Sequence, residues 1–287
     1  MHVWRRIFCV VLAAFAAPMG ASTSASAEPI QIKPSLLRLN ANLELSPGKT
    51  EAHGAVILVH DTLSHHGEPT IVALQESLKR RGLSTLAITL SLGVDDRQGP
   101  RACDVAHDYA LAGVRRELIL WIAWLKAQGA QTIDIVGFSR GGAQVAAVAR
   151  ELPELRRVVL VAPAFASAGE IAETYRRTYG KELQPLLDAA RAAPLQKTVV
   201  DFLVCRQAPV LGAAFLDGYR EFPAQLAGET GKPTLVILAG QDEVVPDLAQ
   251  KLPTDTRRVT IDKAAHAFAE HHADEAAEAI AGFLTEQ

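Results

Sequence analysis

Three residue types that can carry out acyl transfer together are spread along this chain: Ser139, Asp242 and His266. A serine hydroxyl is a poor nucleophile at neutral pH. It needs a base to take its proton, and an imidazole base needs a carboxylate to fix its tautomer and stabilise the imidazolium. Ser139 lies in the run Gly137-Phe138-Ser139-Arg140-Gly141, a G-x-S-x-G pattern. Acyl transfer also needs hydrogen-bond donors where negative charge develops on the substrate oxygen. The backbone N–H of Arg140, directly after the serine, is one such donor by its position.

The pattern is weak alone and gains meaning from the elements around it. An apolar strand-like stretch, Ile133-Asp134-Ile135-Val136, precedes it, and a small-residue helix from Gly142 to Arg150 follows. A sharp strand-to-helix turn of this kind thrusts its serine outward, and its flanking glycines are needed where a Cβ would strike neighbouring backbone. The free N–H groups and positive dipole end of the helix then face the same spot. Asp242 falls just past the apolar strand Thr234–Leu238, in the loop Gln241 to Pro246. His266 lies beyond the strand Arg258–Ile261 and before a closing helix, Glu270 to Leu284. Glu243 is the alternative carboxylate. His271 and His272 fall within the last helix, and Asp134 reads as structural.

The rest of the chain alternates in the same way. Ala55–Val59 is a continuous apolar run entering the loop His60-Asp61-Thr62. Glu68–Arg81 has helical spacing through Ile71, Leu74 and Leu78 and stops at Gly82. Leu83–Leu90 is a strand, Tyr109–Gln128 a helix with its stripe through Leu118, Trp121, Ile122 and Leu125, and Arg157–Val161 another strand. Ile30 to Leu45 alternates as an antiparallel hairpin at a sheet edge would. Strands alternating with helices, most of those strands apolar throughout, imply an α/β fold, a mostly parallel, doubly wound sheet with helices on both faces. Residues 164–232 break the alternation with helical patterns at Ile171–Tyr179 and Leu183–Ala192. They are expected to form a helical cap over the strand ends, where open α/β sheets bind ligands.

Of the 287 residues, 49% are hydrophobic, enough for a large single core. Residues 1–27 have a short basic start with Arg5 and Arg6, an apolar stretch from Ile7 to Gly20, and Ala25-Ser26-Ala27 as a small-residue cleavage site. They read as a signal peptide for export to the periplasm or outside, too short in its apolar part to anchor the chain in a membrane. Removing that segment with its two arginines takes the formal charge from −3 to −5, which argues against a nucleic-acid surface. Residues 28–287 then form a single domain. Two of the three cysteines, Cys103 and Cys205, remain after cleavage. In an oxidising compartment an even pair suggests a disulfide, with two buried thiols as the alternative.

From about Ala55 to the C-terminus the sequence resembles the α/β-hydrolase superfamily. His60 after a strand, the serine turn, an Asp before Val244-Val245-Pro246 and a His preceding Phe268 carry the resemblance, and Ser–Asp–His is the superfamily's order. The resemblance implies Ser139 as nucleophile, His266 as general base and acid, and Asp242 as the orienting carboxylate. It also implies the Thr62 N–H as second oxyanion donor, although Asp61 stands where such enzymes usually carry glycine. The activity so implied is a serine hydrolase cleaving a small-molecule ester, with no metal or organic cofactor. An amidase, thioesterase or peptidase on the same triad, an acyltransferase, or a non-catalytic binding protein of the same fold are the alternatives.

Overall fold

In the computed structural model, which describes residues 27–34, 36–269 and 271–286, the chain builds an eight-stranded sheet. The hairpin of β1 (Glu28–Ile32) and β2 (Leu39–Glu44) forms one edge, with β2 antiparallel to β4. All later pairs are parallel: β3 (Ala55–Val59) lies between β4 (Thr85–Thr89) and β5 (Ile133–Phe138), followed by β6 (Val158–Val161), then two strands from the C-terminal part, Thr234–Ala239 and Arg258–Ile261. The export segment predicted at residues 1–27 lies almost wholly outside the described residues.

The period-two alternation of strand side chains divides the core in two. Along β3, Ile57 and Val59 face one layer and Val56 and Leu58 the other. The first layer is closed by α2 (Leu111–Ala127), through Leu118 and Trp121, and by α3 (Arg140–Val148), through Val145. The second is closed by α1 (Pro69–Arg80), through Ile71, Leu74 and Leu78, and by the C-terminal helix at His271–Thr285. Both faces of the sheet are therefore covered, which explains why its central strands β3 to β6 are buried at every position and mostly apolar.

Between β6 and the strand at Thr234 lies the insertion. Its helices α4 (Ala168–Tyr179) and α5 (Gln184–Ala192) fall where the sequence predicts them, and α4 starts with a capping box between Ser167 and Glu170. The expectation of a purely helical cap needs correcting, because β7 (Lys197–Phe202) and β8 (Cys205–Leu211) form a two-stranded antiparallel sheet. Half of β7 is exposed and Pro209 interrupts β8, so neither strand shows a continuous apolar run; proline is tolerated there because the ribbon has free edges. The chain continues through α6 (Gly212–Gly218), α7 (Leu226–Glu229), β9 (Thr234–Ala239), α8 (Leu248–Lys251), β10 (Arg258–Ile261) and α9 (His271–Thr285). Cys103, in the loop before α2, is bonded to Cys205 at the start of β8.

Candidate active site

Ser139 directly follows β5 and caps α3, with φ 51° and ψ −120°, a positive-φ conformation costly for a residue with a Cβ. The backbone around it holds that geometry. Its N–H donates to the Val161 carbonyl (2.9 Å), and its carbonyl accepts from Ala164 N–H (2.9 Å) and Ala143 N–H (3.2 Å). The glycines are required by close approach. A Cβ on Gly141 would lie 2.3 Å from the His60 carbonyl oxygen, and one on Gly137 2.7 Å from the Gly141 carbonyl oxygen. The turn thus brings α3 down against the loop that follows β3.

Side chains from three strand ends meet here. The Ser139 hydroxyl lies 2.8 Å from His266 Nε2, and His266 Nδ1 lies 3.0 Å from both Asp242 Oδ1 and Oδ2. All three side chains are largely out of solvent. Asp242 also accepts from the Val244 and Val245 N–H groups at 2.9 and 2.8 Å. Burial works against its charge, but the hydrogen bonds from His266 and Val245 outweigh it and hold the carboxyl below the usual carboxylate range. Glu243 does not compete for the ring. Its Oε2 accepts from the His266 backbone N–H at 3.0 Å, so the two neighbouring acids grip the ring and the main chain of one histidine. Sequence reading treats Glu243 only as a rival to Asp242 and misses this shared task.

The loop after β3 is organised by His60. Its Nδ1 lies 2.7 Å from the Asp61 carbonyl, while Nε2 accepts from the Leu90 N–H and faces an Arg97 nitrogen, each at 3.1 Å. Burial, with the Arg97 charge beside it, lowers its pKa to about 3, so the ring is a neutral brace. The two backbone donors expected for an oxyanion, Thr62 N–H and Arg140 N–H, converge on one point, and Asp61 Oδ1 sits there. It accepts from the Thr62 N–H and, at 3.4 Å, from the Arg140 N–H. Asp61 therefore turns its carboxylate inward. The Asp61 N–H donates to Glu68 Oε1 at 3.3 Å, and burial pushes the Glu68 carboxyl up to about 7. Glu68 has no motif to mark it in the sequence. Its place is set by the first turn of α1 packing under the loop.

A cavity of about 490 Å³ lies beside these residues under the cap. Thr62, Arg140 and Val245 line it from the sheet side, and Ile171, Tyr175 and Tyr219 from the cap. His65, His66, Asp95, Asp96, Asp104 and Asp108 do not line it. Asp95 pairs with Arg38, Asp96 bonds Asn40, and His66 meets the Thr89 hydroxyl. Asp134 is held by Arg156. Among the described residues, no group of three or more His, Cys, Asp or Glu side chains is arranged to hold a metal ion.

A family model described as the alpha/beta hydrolase family matches residues 53–279. The chain belongs to the alpha/beta hydrolase family. Among solved structures, this hydrolase is similar to Est1E from Butyrivibrio proteoclasticus with ferulic acid bound (TM-score 0.66, 23% identity, covering 90% of this chain and 98% of that one). It is also similar to an esterase from Pyrococcus furiosus (TM-score 0.60, 15% identity, 90% of each chain) and to the esterase domain of a Rhodothermus marinus protein (TM-score 0.58, 16% identity, 90% and 98%). At these identities the likeness is one of fold. No curated protein matches the hydrolase.

Proposed function

We propose that this hydrolase is an exported serine esterase working through an acyl-enzyme on Ser139. His266 Nε2 takes the hydroxyl proton as Oγ attacks the ester carbonyl carbon, and Asp242 stabilises the imidazolium that forms. The carbonyl oxygen, now carrying the charge, accepts from the Arg140 and Thr62 N–H groups. As the intermediate collapses, the bond to the alcohol oxygen breaks and His266 returns its proton to that oxygen. Water, deprotonated by His266, then attacks the acyl carbon and regenerates Ser139. The Asp61 carboxylate must swing off both donors before a substrate carbonyl can use them.

The observation that carries this reading is the 2.8 Å contact between Ser139 Oγ and His266 Nε2, with Asp242 on the opposite ring nitrogen. Export is supported by the basic and apolar start of the sequence and by the Cys103–Cys205 bond, a pairing that persists in oxidising compartments. Ser139→Ala should lower kcat on an activated ester by at least ~10³-fold. Near-normal turnover in that variant would end the assignment. Asp61 seated on both donors is the one feature that favours a non-catalytic binding protein. A fluorophosphonate probe separates the two readings, since an active serine labels rapidly and Ser139→Ala does not, whereas a binding protein resists labelling in both forms.

A further inference from the structure

The side chain of Arg140 carries a positive charge into the cavity under the cap, and the triad chemistry gives it no task. Its Nη2 donates to the Gly218 carbonyl at 2.9 Å, and its guanidinium carbon stands 5.8 Å from the centre of the Phe222 ring. Among the described residues it forms no ion pair. The acids nearest in charge are already engaged: Asp217 accepts from the Leu111 N–H at 2.8 Å and faces Arg220 at 3.6 Å, and Asp61 is held by backbone donors. Glu170 and Glu173 also line the cavity, but Lys251 and Arg176 neutralise them. Burial pulls the pKa of Arg140 below its ordinary value, and the attraction of nearby Tyr109, Asp217 and Asp61 offsets this only in part.

An isolated buried charge is costly, and a protein normally satisfies it with an ion-pair partner. Here a carbonyl, a ring face and an open cavity surround it. The planar guanidinium suits a carboxylate, which can accept two parallel N–H bonds from it. Arg177 adds positive charge to the same cavity lining. We propose that Arg140 determines specificity in this site, and that the substrate is an ester carrying a carboxylate on the portion that lies beneath the cap. This rests on the esterase reading and names its substrate class.

Two matched pairs of esters test it. 4-Nitrophenyl hydrogen adipate against 4-nitrophenyl hexanoate places the carboxylate on the acyl side. 4-Butyryloxybenzoate against its methyl ester places it on the leaving group. The wild-type chain should favour at least one anionic member by tenfold or more in kcat/KM, mainly through KM. Arg140→Gln should bring that ratio to about one, and Arg140→Lys should keep part of it. Equal use of both members by the wild type, or a preference that survives Arg140→Gln, overturns the proposal. Calorimetry with 4-phenylbutyrate and 4-phenylbutyramide gives a readout independent of turnover. The carboxylate should bind at least tenfold tighter than the amide to the wild type but not to Arg140→Gln, and equal or absent binding of the carboxylate counts against the proposal. Absent fluorophosphonate labelling alongside tight, Arg140-dependent carboxylate binding would instead overturn the esterase reading alone.

Discussion

At the scale of single residues, the loop after β3 carries the departure from the usual pattern. Where the family resemblance implies a glycine, Asp61 puts a carboxylate oxygen on the two N–H groups proposed to receive the substrate oxygen. A site whose competent state is only partly populated binds in proportion to that population. Asp61→Gly should therefore raise kcat/KM on a neutral activated ester, by roughly three- to tenfold if the blocked state dominates at rest. Steady-state rates would check this, and a fall in rate would show that the carboxylate assists the reaction. Behind it, Glu68 holds its proton up to about pH 7, whereas an exposed glutamate loses it near 4.5. The folded chain keeps a proton through that interval that the unfolded chain has given up, so stability falls as pH rises from about 4.5 to 7. Glu68→Gln should flatten this slope, with its unfolding free energy from denaturant titration gaining on the wild type between pH 5 and pH 8 by an amount on the order of 1–3 kcal/mol. Ser139 and Asp242 were legible in the sequence because each follows a buried, mostly apolar strand, and His266 because it stands before Phe268 and the closing helix in the order Ser–Asp–His. Glu68 and Glu243 were not, because their roles arise from where loops pass one another and no spacing rule records that.

At the scale of elements, the turn at Ser139 works because two chains come closer than side chains allow. A methyl group on Gly141 would sit 2.3 Å from the His60 carbonyl oxygen and 2.8 Å from that of Val59, both backbone atoms that cannot step aside cheaply. Gly141→Ala should push α3 away from the β3 loop, separating the two oxyanion donors. The expected result is a loss of about 1–3 kcal/mol in stability, seen by denaturant titration, together with at least a ~10-fold drop in kcat. The parallel strands and their helices follow from continuous apolar runs and the 3.6-residue spacing of Ile71, Leu74 and Leu78, so their order could be read directly. The β7–β8 ribbon escaped that reading. Its outer face is wet and Pro209 breaks its pattern, and it is held by Phe202, Ala208 and Val210 packing on the core beneath, contacts made by tertiary structure and not by local preference.

At the scale of the whole molecule, the cap is bound to the sheet along one side. The Cys103–Cys205 bond closes a separation of 102 residues, and the same stretch is tied by His107 N–H to the Pro209 carbonyl (2.8 Å) and Leu211 N–H to the His107 carbonyl (2.9 Å). A loop of that length corresponds to about 4–5 kcal/mol of stabilisation in the chain-entropy account. Calorimetry with and without reductant should show the melting temperature falling by roughly 10 °C, and a Cys103→Ser/Cys205→Ser variant should match the reduced protein. The opposite side of the cap meets the sheet near Lys251, which reaches Glu170 of α4 at 2.5 Å in a half-exposed pair. Ion pairs of that kind weaken as dissolved salt rises, while sulfur–sulfur bonds do not. The roof over the cavity is thus welded along one wall and latched along the other, so molecules should pass in and out at the latch, and dissolved electrolyte should quicken their exchange.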